Sequence, residues 1–348
     1  MPHIMTHPIA RHKILSCYQE IRTLQRGEMP APRTVELFVT SACNHNCTGC
    51  HTRGLRRARA AHLNIARAEA LLAEWRAMGV EGLEISGIGE PLLYPHLERL
   101  LQSAHALGFR VGLLTNGSRL HTADLEVLLR TTRFIRIAFD AADPQTYQAV
   151  HGADDFAQVE SNVAALLETR RRMGAKTTIG LKALLSKRNK HEIAAMARRA
   201  RELGADYVQF KPLRQCRASL SAEECAAAQR DIDTVRRDMA SRNSGFRVLG
   251  GAGREVLARG CFLSPLHPVV DPHATLFVCP YYTHHAGTHR IGSLKNKSFA
   301  ALWGSDAHRQ CIQAMDPAIC NTFDCPLIPY NNYAASAILD DSMHLSIV

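Results

Sequence analysis

Short apolar runs rich in β-branched residues alternate along the chain with longer segments in which apolar residues recur every three or four positions. The short runs predict six strands: Val35–Thr40, Gly82–Ser86, Arg110–Leu114, Phe134–Asp140, Thr177–Ala183 and Tyr207–Lys211. The longer segments predict five helices: Ala66–Met78, Pro95–Leu107, Thr122–Arg130, Val159–Met173 and Lys190–Leu203. This alternation is typical of an α/β fold in which crossover helices join parallel strands.

Glycines follow four of the predicted helices. Gly79, Gly108, Gly174 and Gly204 stand where the end of a helix favours left-handed backbone. Six strand–helix units are too few for a closed eight-unit barrel, so we expect a partial (β/α)6 TIM barrel. Functional groups of such a barrel gather at the C-terminal ends of its strands.

The 348 residues, 46% of them hydrophobic, suffice for a large domain and a smaller one. We expect an N-terminal extension (1–30), the barrel (31–240), a small hairpin-and-helix domain (241–330) and a tail (331–348). The sequence has no apolar run of about 18 residues and no signal-peptide core. We therefore expect a soluble cytoplasmic protein without a membrane partner, in which eleven cysteines indicate metal or redox chemistry rather than disulfides.

The net charge of +10 raises the question of nucleic-acid binding. Arginines such as Arg170–Arg172 lie on predicted helix faces without interleaved aromatic residues, which disfavours a nucleic-acid partner. A solvated basic surface is the expected reading, and it suits the docking of an acidic electron donor or the steering of an anionic substrate.

Three cysteines, Cys43, Cys47 and Cys50, lie within eight residues just after the first strand. A four-iron cluster takes four ligands, so three thiolates leave one iron open to an outside ligand. Two other readings stay open. In the first, the thiols bind zinc together with His45 or His51. In the second, they belong to a fully ligated cluster, which needs a fourth cysteine nearby, but the next cysteine after Cys50 is Cys216.

The Cys-x3-Cys-x2-Cys spacing resembles that of the radical S-adenosylmethionine (SAM) superfamily. The resemblance implies a catalytic [4Fe-4S] cluster whose open iron chelates S-adenosyl-L-methionine, and a flavodoxin or ferredoxin type electron donor. Reductive cleavage of the cofactor then gives a 5′-deoxyadenosyl radical that takes a hydrogen atom from the substrate. One departure is Gly49, because relatives often carry an aromatic residue before the third cysteine.

Two later segments resemble cofactor-binding segments of that superfamily. The first follows the second strand and is similar to the Gly-Gly-Glu-Pro motif that holds the methionine ammonium; the second follows the third strand. The implied cofactor-binding residues are Ser86, Gly87, Gly89, Glu90, Pro91, Thr115 and Asn116. Ordinary strand-to-helix turns are the alternative reading of both.

Candidate substrate or catalytic residues follow the later strands. Asp140 ends the fourth strand and is followed by Tyr147 and His151-Gly152, which resembles a segment of the superfamily. It is a candidate for hydrogen bonding to a ribose or substrate hydroxyl. The alternative is a helix N-cap or a hydrogen bond within the loop. Lys182 and Lys211 stand in otherwise apolar strands, where a lysine is costly unless it is paired.

Arg214 and Cys216 lie just past the sixth strand, at the expected barrel mouth. Arg214 is a candidate for binding or proton removal. Cys216 is a candidate hydrogen-atom donor of an epimerase, with an ordinary loop cysteine as the alternative.

A second set of cysteines comprises Cys261, Cys279, Cys320 and Cys325. The segments 267–270 and 275–278 read as a hairpin that brings Cys261 and Cys279 together. The arrangement resembles the twitch domain, a shortened SPASM domain, and this implies a second, auxiliary [4Fe-4S] cluster. Cys311 is a substitute ligand, and a four-cysteine zinc site is the alternative.

These resemblances predict an oxidoreductase that takes hydrogen from a small polar substrate of sugar, aminocyclitol or nucleoside type. The favoured reaction is a dehydrogenation in specialised metabolism, such as antibiotic biosynthesis, in which the auxiliary cluster accepts an electron. Alternatives are a radical epimerase using Cys216 and a peptide-modifying enzyme. We rank the latter lower because about thirty residues precede the first strand, too few for a winged-helix peptide-binding domain. A zinc or iron–sulfur scaffold, or a nucleic-acid binder, is the non-enzymatic alternative.

Overall fold

The computed structural model describes residues 11–55, 60–214, 216–241, 245–253, 255–257, 261–281, 287–322, 325 and 327–337. Its strands are β1 Thr34–Phe38, β2 Gly82–Ser86, β3 Arg110–Thr115, β4 Thr132–Ala138, β5 Thr178–Leu185, β6 Tyr207–Pro212, β7 Arg247–Gly250, β8 Val269–Val270, β9 Thr275–Phe277 and β10 Arg290–Ser293. Its α-helices are α1 Tyr18–Gln25, α2 Ile65–Ala77, α3 Leu97–Ala106, α4 Leu125–Thr131, α5 Pro144–His151, α6 Phe156–Met173, α7 Ile193–Leu203, α8 Ala222–Ser241, α9 Phe299–Leu302, α10 Asp306–Gln313, α11 Pro317–Cys320 and α12 Ile328–Ala337.

The described strands form one ten-stranded sheet in the order β10-β9-β8-β1-β2-β3-β4-β5-β6-β7. Strands β1 to β7 follow one another in chain order and pair in parallel, with helices in the connections. This is the predicted partial barrel, and the α/β fold class is confirmed. The six predicted strands are present, with ends that shift by at most two residues.

The sequence analysis did not predict strand β7, strand β10 or the pairing of β8 with β1. Strand β7 has four residues and pairs in parallel with β6, so the barrel sheet has seven strands rather than six. Strand β8 has two residues and pairs in parallel with β1, so the predicted hairpin β8–β9 extends the same sheet. Strand β7 is too short to produce a readable alternation of apolar and polar residues, and the sequence of β8 does not indicate which strand it pairs with. The division at residue 240 stays a prediction.

The core lies between the outer face of the sheet and the helices. On β5, Ile179, Leu181, Ala183 and Leu185 are fully buried in this core. Because successive strand residues face opposite sides, Lys182 lies on the inner face of the barrel wall. The predicted helix-ending glycines are confirmed, since all four have positive φ, between 61° and 93°.

The N-terminal segment packs against the C-terminal one. Ile14 and Ile21 share a small buried cluster with Leu263, Leu266 and Ala334 of α12. None of the helices in the described ranges is long and apolar enough to cross a membrane.

Candidate cluster and cofactor site

The loop after β1 is tied by its backbone to the loop after β2. Gly89 N donates to Thr40 O at 3.1 Å, and Glu90 N donates to Ala42 O at 2.7 Å. A Cβ on Gly89 would lie 2.1 Å from Ala42 O, so only glycine permits this approach. The two loops that carry the cysteines and the Gly-Gly-Glu-Pro-like motif are therefore held together at the C-terminal ends of β1 and β2.

The far side of the cysteine loop is held by the end of α5. Asn46 N donates to His151 O at 3.0 Å, and Thr48 N donates to Val150 O at 2.8 Å. Gly152 ends the helix with φ +61°, and a Cβ there would come within 2.7 Å of Asn46 O. The loop is thus fixed from two sides, and its three thiols are partly exposed.

Cys47 contacts a histidine that is itself paired with an acid. Its Sγ lies 3.5 Å from His151 Nδ1, and His151 Nε2 lies 3.1 Å from Asp140 Oδ2. Burial opposes ionisation of the Cys47 thiol, but hydrogen bonds from His151 and His45 lower its pKa to about 7. Burial likewise opposes protonation of His151, yet Asp140 and Cys47 raise its pKa to about 10. A thiolate is the form that a metal requires.

Asp140 is engaged inside the protein. Its Oδ1 accepts a hydrogen bond from Leu184 N in addition to the contact of Oδ2 with His151. The N-cap of α5 is Asp143 rather than Asp140. The predicted bond of Asp140 to a substrate hydroxyl stays a prediction, while its visible contacts position His151.

A mononuclear metal site at the loop would use histidines as well as a cysteine. In the described ranges, the one set of three potential ligand atoms within 4.8 Å of one another belongs to His45, Cys47 and His151. Cys43 and Cys50 lie outside this set, and His45 Nε2 is 2.9 Å from Asp155 Oδ2. The sulfur atoms of Cys43, Cys47 and Cys50 are therefore too far apart to bind one zinc ion together. Their spacing fits a larger iron–sulfur cluster.

Glu90 joins the loops after β1, β2 and β3. Its carboxylate accepts hydrogen bonds from Leu92 N at 3.0 Å, from Thr115 Oγ1 at 2.5 Å and from Asn116 N at 2.7 Å. Asn116 Nδ2 in turn donates to Asn44 Oδ1 of the cysteine loop at 3.1 Å. Burial raises the pKa of Glu90. Three of the predicted cofactor-binding residues, Glu90, Thr115 and Asn116, thus belong to one hydrogen-bond network that reaches the cysteine loop.

Gly49, which replaces the frequent aromatic residue, lies against the loop after β6. A Cβ on Gly49 would come within 2.4 Å of Leu213 Cδ1. Leu213 N is held by Leu185 O at 2.7 Å. The apolar side chain of Leu213 therefore occupies the space beside Gly49, next to the third cysteine.

Inside the barrel, the structure shows a polar group that the sequence analysis missed. Glu36 Oε1 accepts a hydrogen bond from Ser86 Oγ at 2.5 Å, and Glu36 Oε2 lies 3.6 Å from His267 Nε2. Burial and then the charge of Glu84 raise the pKa of Glu36 to about 8. Arg136 Nη2 is 3.9 Å from Glu84 Oε1. The signal was present, because charged residues interrupt the apolar strands β1, β2 and β4.

The remaining predicted residues lie on the β5–β6 side. Lys182 faces inward beside Gln209, its partner in the ladder, and Lys211 pairs with Leu184. Cys216 begins a turn in which Ser219 Oγ is 3.7 Å from its Sγ.

The second cysteine set converges. Cys261, Cys279, Cys320 and Cys325 all line one cavity together with Met315, Ile328 and other residues. Burial raises the pKa of Cys325 to about 12 and that of Cys320 to about 11, and the charges of neighbouring cysteines add to both shifts. Cys311 is not part of this lining, and its thiol donates to Arg290 O at 3.3 Å.

One protein-family model matches most of the barrel, from the end of β1 into α7. Residues 37–200 match the model of the Radical SAM superfamily. Among curated proteins, the chain is 27% identical over 173 residues to the probable GTP 3′,8-cyclase of Methanothermobacter thermautotrophicus, covering 49% of this chain and 55% of that one. It is 30% identical to the AdoMet-dependent heme synthase of Methanosarcina barkeri, covering 50% and 49%. The chain spans about half the length of these relatives.

Solved structures share the fold. Streptococcus suis SuiB bound to S-adenosylmethionine superposes with a TM-score of 0.69 at 14% identity, covering 87% of this chain and 73% of that one. Native anSMEcpe with bound AdoMet gives a TM-score of 0.63 at 14% identity, covering 90% and 100%.

Proposed function

We propose, from the radical SAM domain that residues 37–200 form, that the chain is an enzyme that removes a hydrogen atom from a small polar substrate. Cys43, Cys47 and Cys50 would hold a [4Fe-4S] cluster with one open iron. When bound there, S-adenosylmethionine and the cluster supply a carbon radical at the barrel mouth. The single observation that carries this proposal is the fixation of the cysteine loop against the Gly89–Glu90 segment at the C-terminal edge of the sheet.

The chain itself would position the cofactor and protect the cluster. Glu90 and Asn116 tie the loops after β2 and β3 to Asn44 of the cysteine loop, and backbone groups of these loops would bind the cofactor. His151 would donate to the Cys47 sulfur and keep its loop from moving. An electron would come from a flavodoxin or ferredoxin type donor, for which the net charge of +10 is favourable.

The four later cysteines would hold an auxiliary [4Fe-4S] cluster. Sulfurs bound to one zinc at about 2.3 Å lie roughly 3.8 Å apart. No three of these thiols lie within 4.8 Å of one another in the described part of the chain, although all four line one cavity. This spacing supports a multi-iron cluster over a single zinc, and a fully ligated cluster suits electron transfer in a dehydrogenation.

The metal assignment is tested by anaerobic reconstitution followed by iron and sulfide analysis. We expect about eight irons in the natural chain and about four each in Cys47→Ala and in Cys279→Ala. Cys311→Ala is the matched control and should keep about eight. About four irons in the natural chain, with zinc lost from Cys279→Ala, would contradict the auxiliary cluster but leave the first one intact.

The substrate that we propose is a sugar, aminocyclitol or nucleoside derivative. The relative from Methanothermobacter thermautotrophicus is a probable GTP 3′,8-cyclase, which supports a nucleotide-sized polar molecule. The polar lining of the barrel, with Glu36, Glu84 and Arg136, suits such a molecule better than an apolar one. Screening candidate sugars and nucleotides for substrate-dependent acceleration of 5′-deoxyadenosine formation tests this class.

A further inference from the structure

Arg214 lies at the barrel mouth next to the cysteine loop. It follows Leu213, whose backbone is hydrogen-bonded to the end of β5 and whose side chain covers Gly49 between the second and third cysteines. The position of Arg214 is therefore fixed by the sheet on one side and by the cysteine loop on the other.

Arg214 is half-buried, and two nitrogens of its guanidinium are fully buried. Its Nε and Nη2 are both inaccessible to solvent, and neither has a hydrogen-bond partner in the part of the chain that the structure describes. Arginine keeps its charge at any pH of interest, so these two N–H groups lose their water without compensation. Leaving a buried donor unpaired is unfavourable, and more so when the donor is charged.

The same two atoms bind carboxylates elsewhere in this chain. Arg99 Nε and Nη2 donate to the two carboxylate oxygens of Glu69 at 2.8 and 2.6 Å. Arg171 holds Glu168 in the same way, at 2.9 and 2.6 Å. The Nε–Nη2 edge thus forms a two-donor fork that matches two oxygens of one anionic group. In Arg214 the same Nε–Nη2 edge is buried, and no described residue accepts a hydrogen bond from it.

The surrounding wall carries further positive charge. Lys182 on β5 and Lys211 on β6 lie on the inner face, because Leu181 and Phe210 beside them face the outer core. The acid after β4, Asp140, is occupied by Leu184 and His151. Lys182 and Lys211 thus place positive charge on the same side of the barrel as Arg214.

We propose that the Nε–Nη2 fork of Arg214 binds a carboxylate or phosphate group of a ligand at the barrel mouth. This inference rests on the proposed function, which places the cofactor and substrate there. The anion would come from the substrate or from the methionine carboxylate of S-adenosylmethionine. Arg214 follows β6, four strands away from the Glu90 loop after β2, and this separation favours the substrate.

The test measures binding by anaerobic calorimetry on the reconstituted protein, with inorganic triphosphate, citrate and S-adenosylmethionine as probes. We expect Arg214→Met to bind triphosphate or citrate at least about tenfold more weakly than the natural chain, a loss of about 1.4 kcal/mol. Arg214→Lys should recover only part of the affinity, because lysine has no fork. Arg217→Met, which removes the same charge from an exposed position in the same loop, should bind like the natural chain.

The probes separate the two sources of the anion. Weaker binding of triphosphate or citrate with unchanged S-adenosylmethionine affinity assigns Arg214 to the substrate, and the reverse assigns it to the cofactor. Equal affinities of the natural chain and Arg214→Met for all three probes, or no binding of any, would overturn the inference. Formation of 5′-deoxyadenosine by the natural chain is measured in parallel. Its presence with equal affinities refutes only the role of Arg214, whereas its absence refutes the proposed function.

Discussion

At the scale of single residues, Gly89 sets the distance between the cysteine loop and the cofactor motif. In Gly89→Ala the new Cβ would meet the Ala42 carbonyl oxygen at 2.1 Å, and backbone on both sides has little room to move. We expect a loss of about 2 kcal/mol or more in the free energy of unfolding. Gly54→Ala is the matched control, since a Cβ there has no neighbour within 4 Å. Denaturant unfolding of both variants measures the difference, and equal stabilities would contradict the packing.

His151 is the residue that links Cys47 to Asp140. His151→Ala removes the contact to the Cys47 sulfur and should speed the release of iron from the first cluster to a chelator. Partners of metal ligands typically contribute about 10–100-fold to metal affinity. The control is His105→Gln, an exposed histidine of α3. The rate of iron release to a chelator is measured for both variants in a Cys279→Ala background, so that only iron of the first cluster is released. Equal release rates in His151→Ala and in the chain with His151 intact would refute this expectation.

Glu36 makes stability depend on pH. Its pKa is about 8 in the folded chain because of burial and Glu84, against an ordinary value of 4.5. Between these values the folded chain keeps a proton that the unfolded chain has lost, so this contribution to stability is complete below pH 4.5 and is lost as pH rises through 8. Relative to Glu36→Gln, the natural chain should lose about 1 kcal/mol of unfolding free energy per pH unit from pH 6 to 8. A constant difference between the two proteins over this range would contradict the buried position of Glu36.

At the scale of elements, short segments place the second cysteine set. Strand β8 pairs with β1, so the hairpin that precedes Cys279 is continuous with the barrel sheet. Helix α12 fixes the other side, because Asn331 Oδ1 accepts a hydrogen bond from Phe262 N, next to Cys261, at 2.7 Å. The auxiliary site is therefore built from both the sheet and the C-terminal helix.

Asn331→Ala should loosen the Cys261 segment by leaving the Phe262 N–H unpaired. We expect partial loss of auxiliary iron, below the about four irons that Cys47→Ala alone should hold. Asn332→Ala is the control. Asn332 is the next residue of the same helix, and its Nδ2 donates to the carbonyl oxygen of the exposed Val256 at 2.8 Å. Iron counts of both variants in a Cys47→Ala background measure the effect, and full auxiliary iron in Asn331→Ala would count against the role of α12.

At the scale of the whole molecule, the sequence predicted those features that repeat or are spaced regularly. The βα pattern and the glycines after helices predicted the partial barrel, since each unit carries its own apolar period and stop signal. The spacing of Cys43, Cys47 and Cys50 predicted their shared loop. The four later cysteines, far apart in the sequence, were grouped only through the predicted hairpin, and the structure brings them to one cavity.

Contacts between distant segments were not predictable in the same way. Nothing local to Glu36 indicates His267, because their proximity depends on the two-residue strand β8. The contact between Leu213 and Gly49 likewise depends on barrel curvature. The burial of Arg214 Nε and Nη2 without an acceptor among the described residues depends on the folded arrangement of the loops and cannot be inferred from the sequence.

Reductive cleavage of S-adenosylmethionine tests the central claim most directly. The reconstituted natural chain, reduced with dithionite in the presence of S-adenosylmethionine, should form 5′-deoxyadenosine, and Cys47→Ala should form none although it keeps the auxiliary iron. A natural chain that holds a four-iron cluster at Cys43, Cys47 and Cys50 yet forms no 5′-deoxyadenosine would contradict the account.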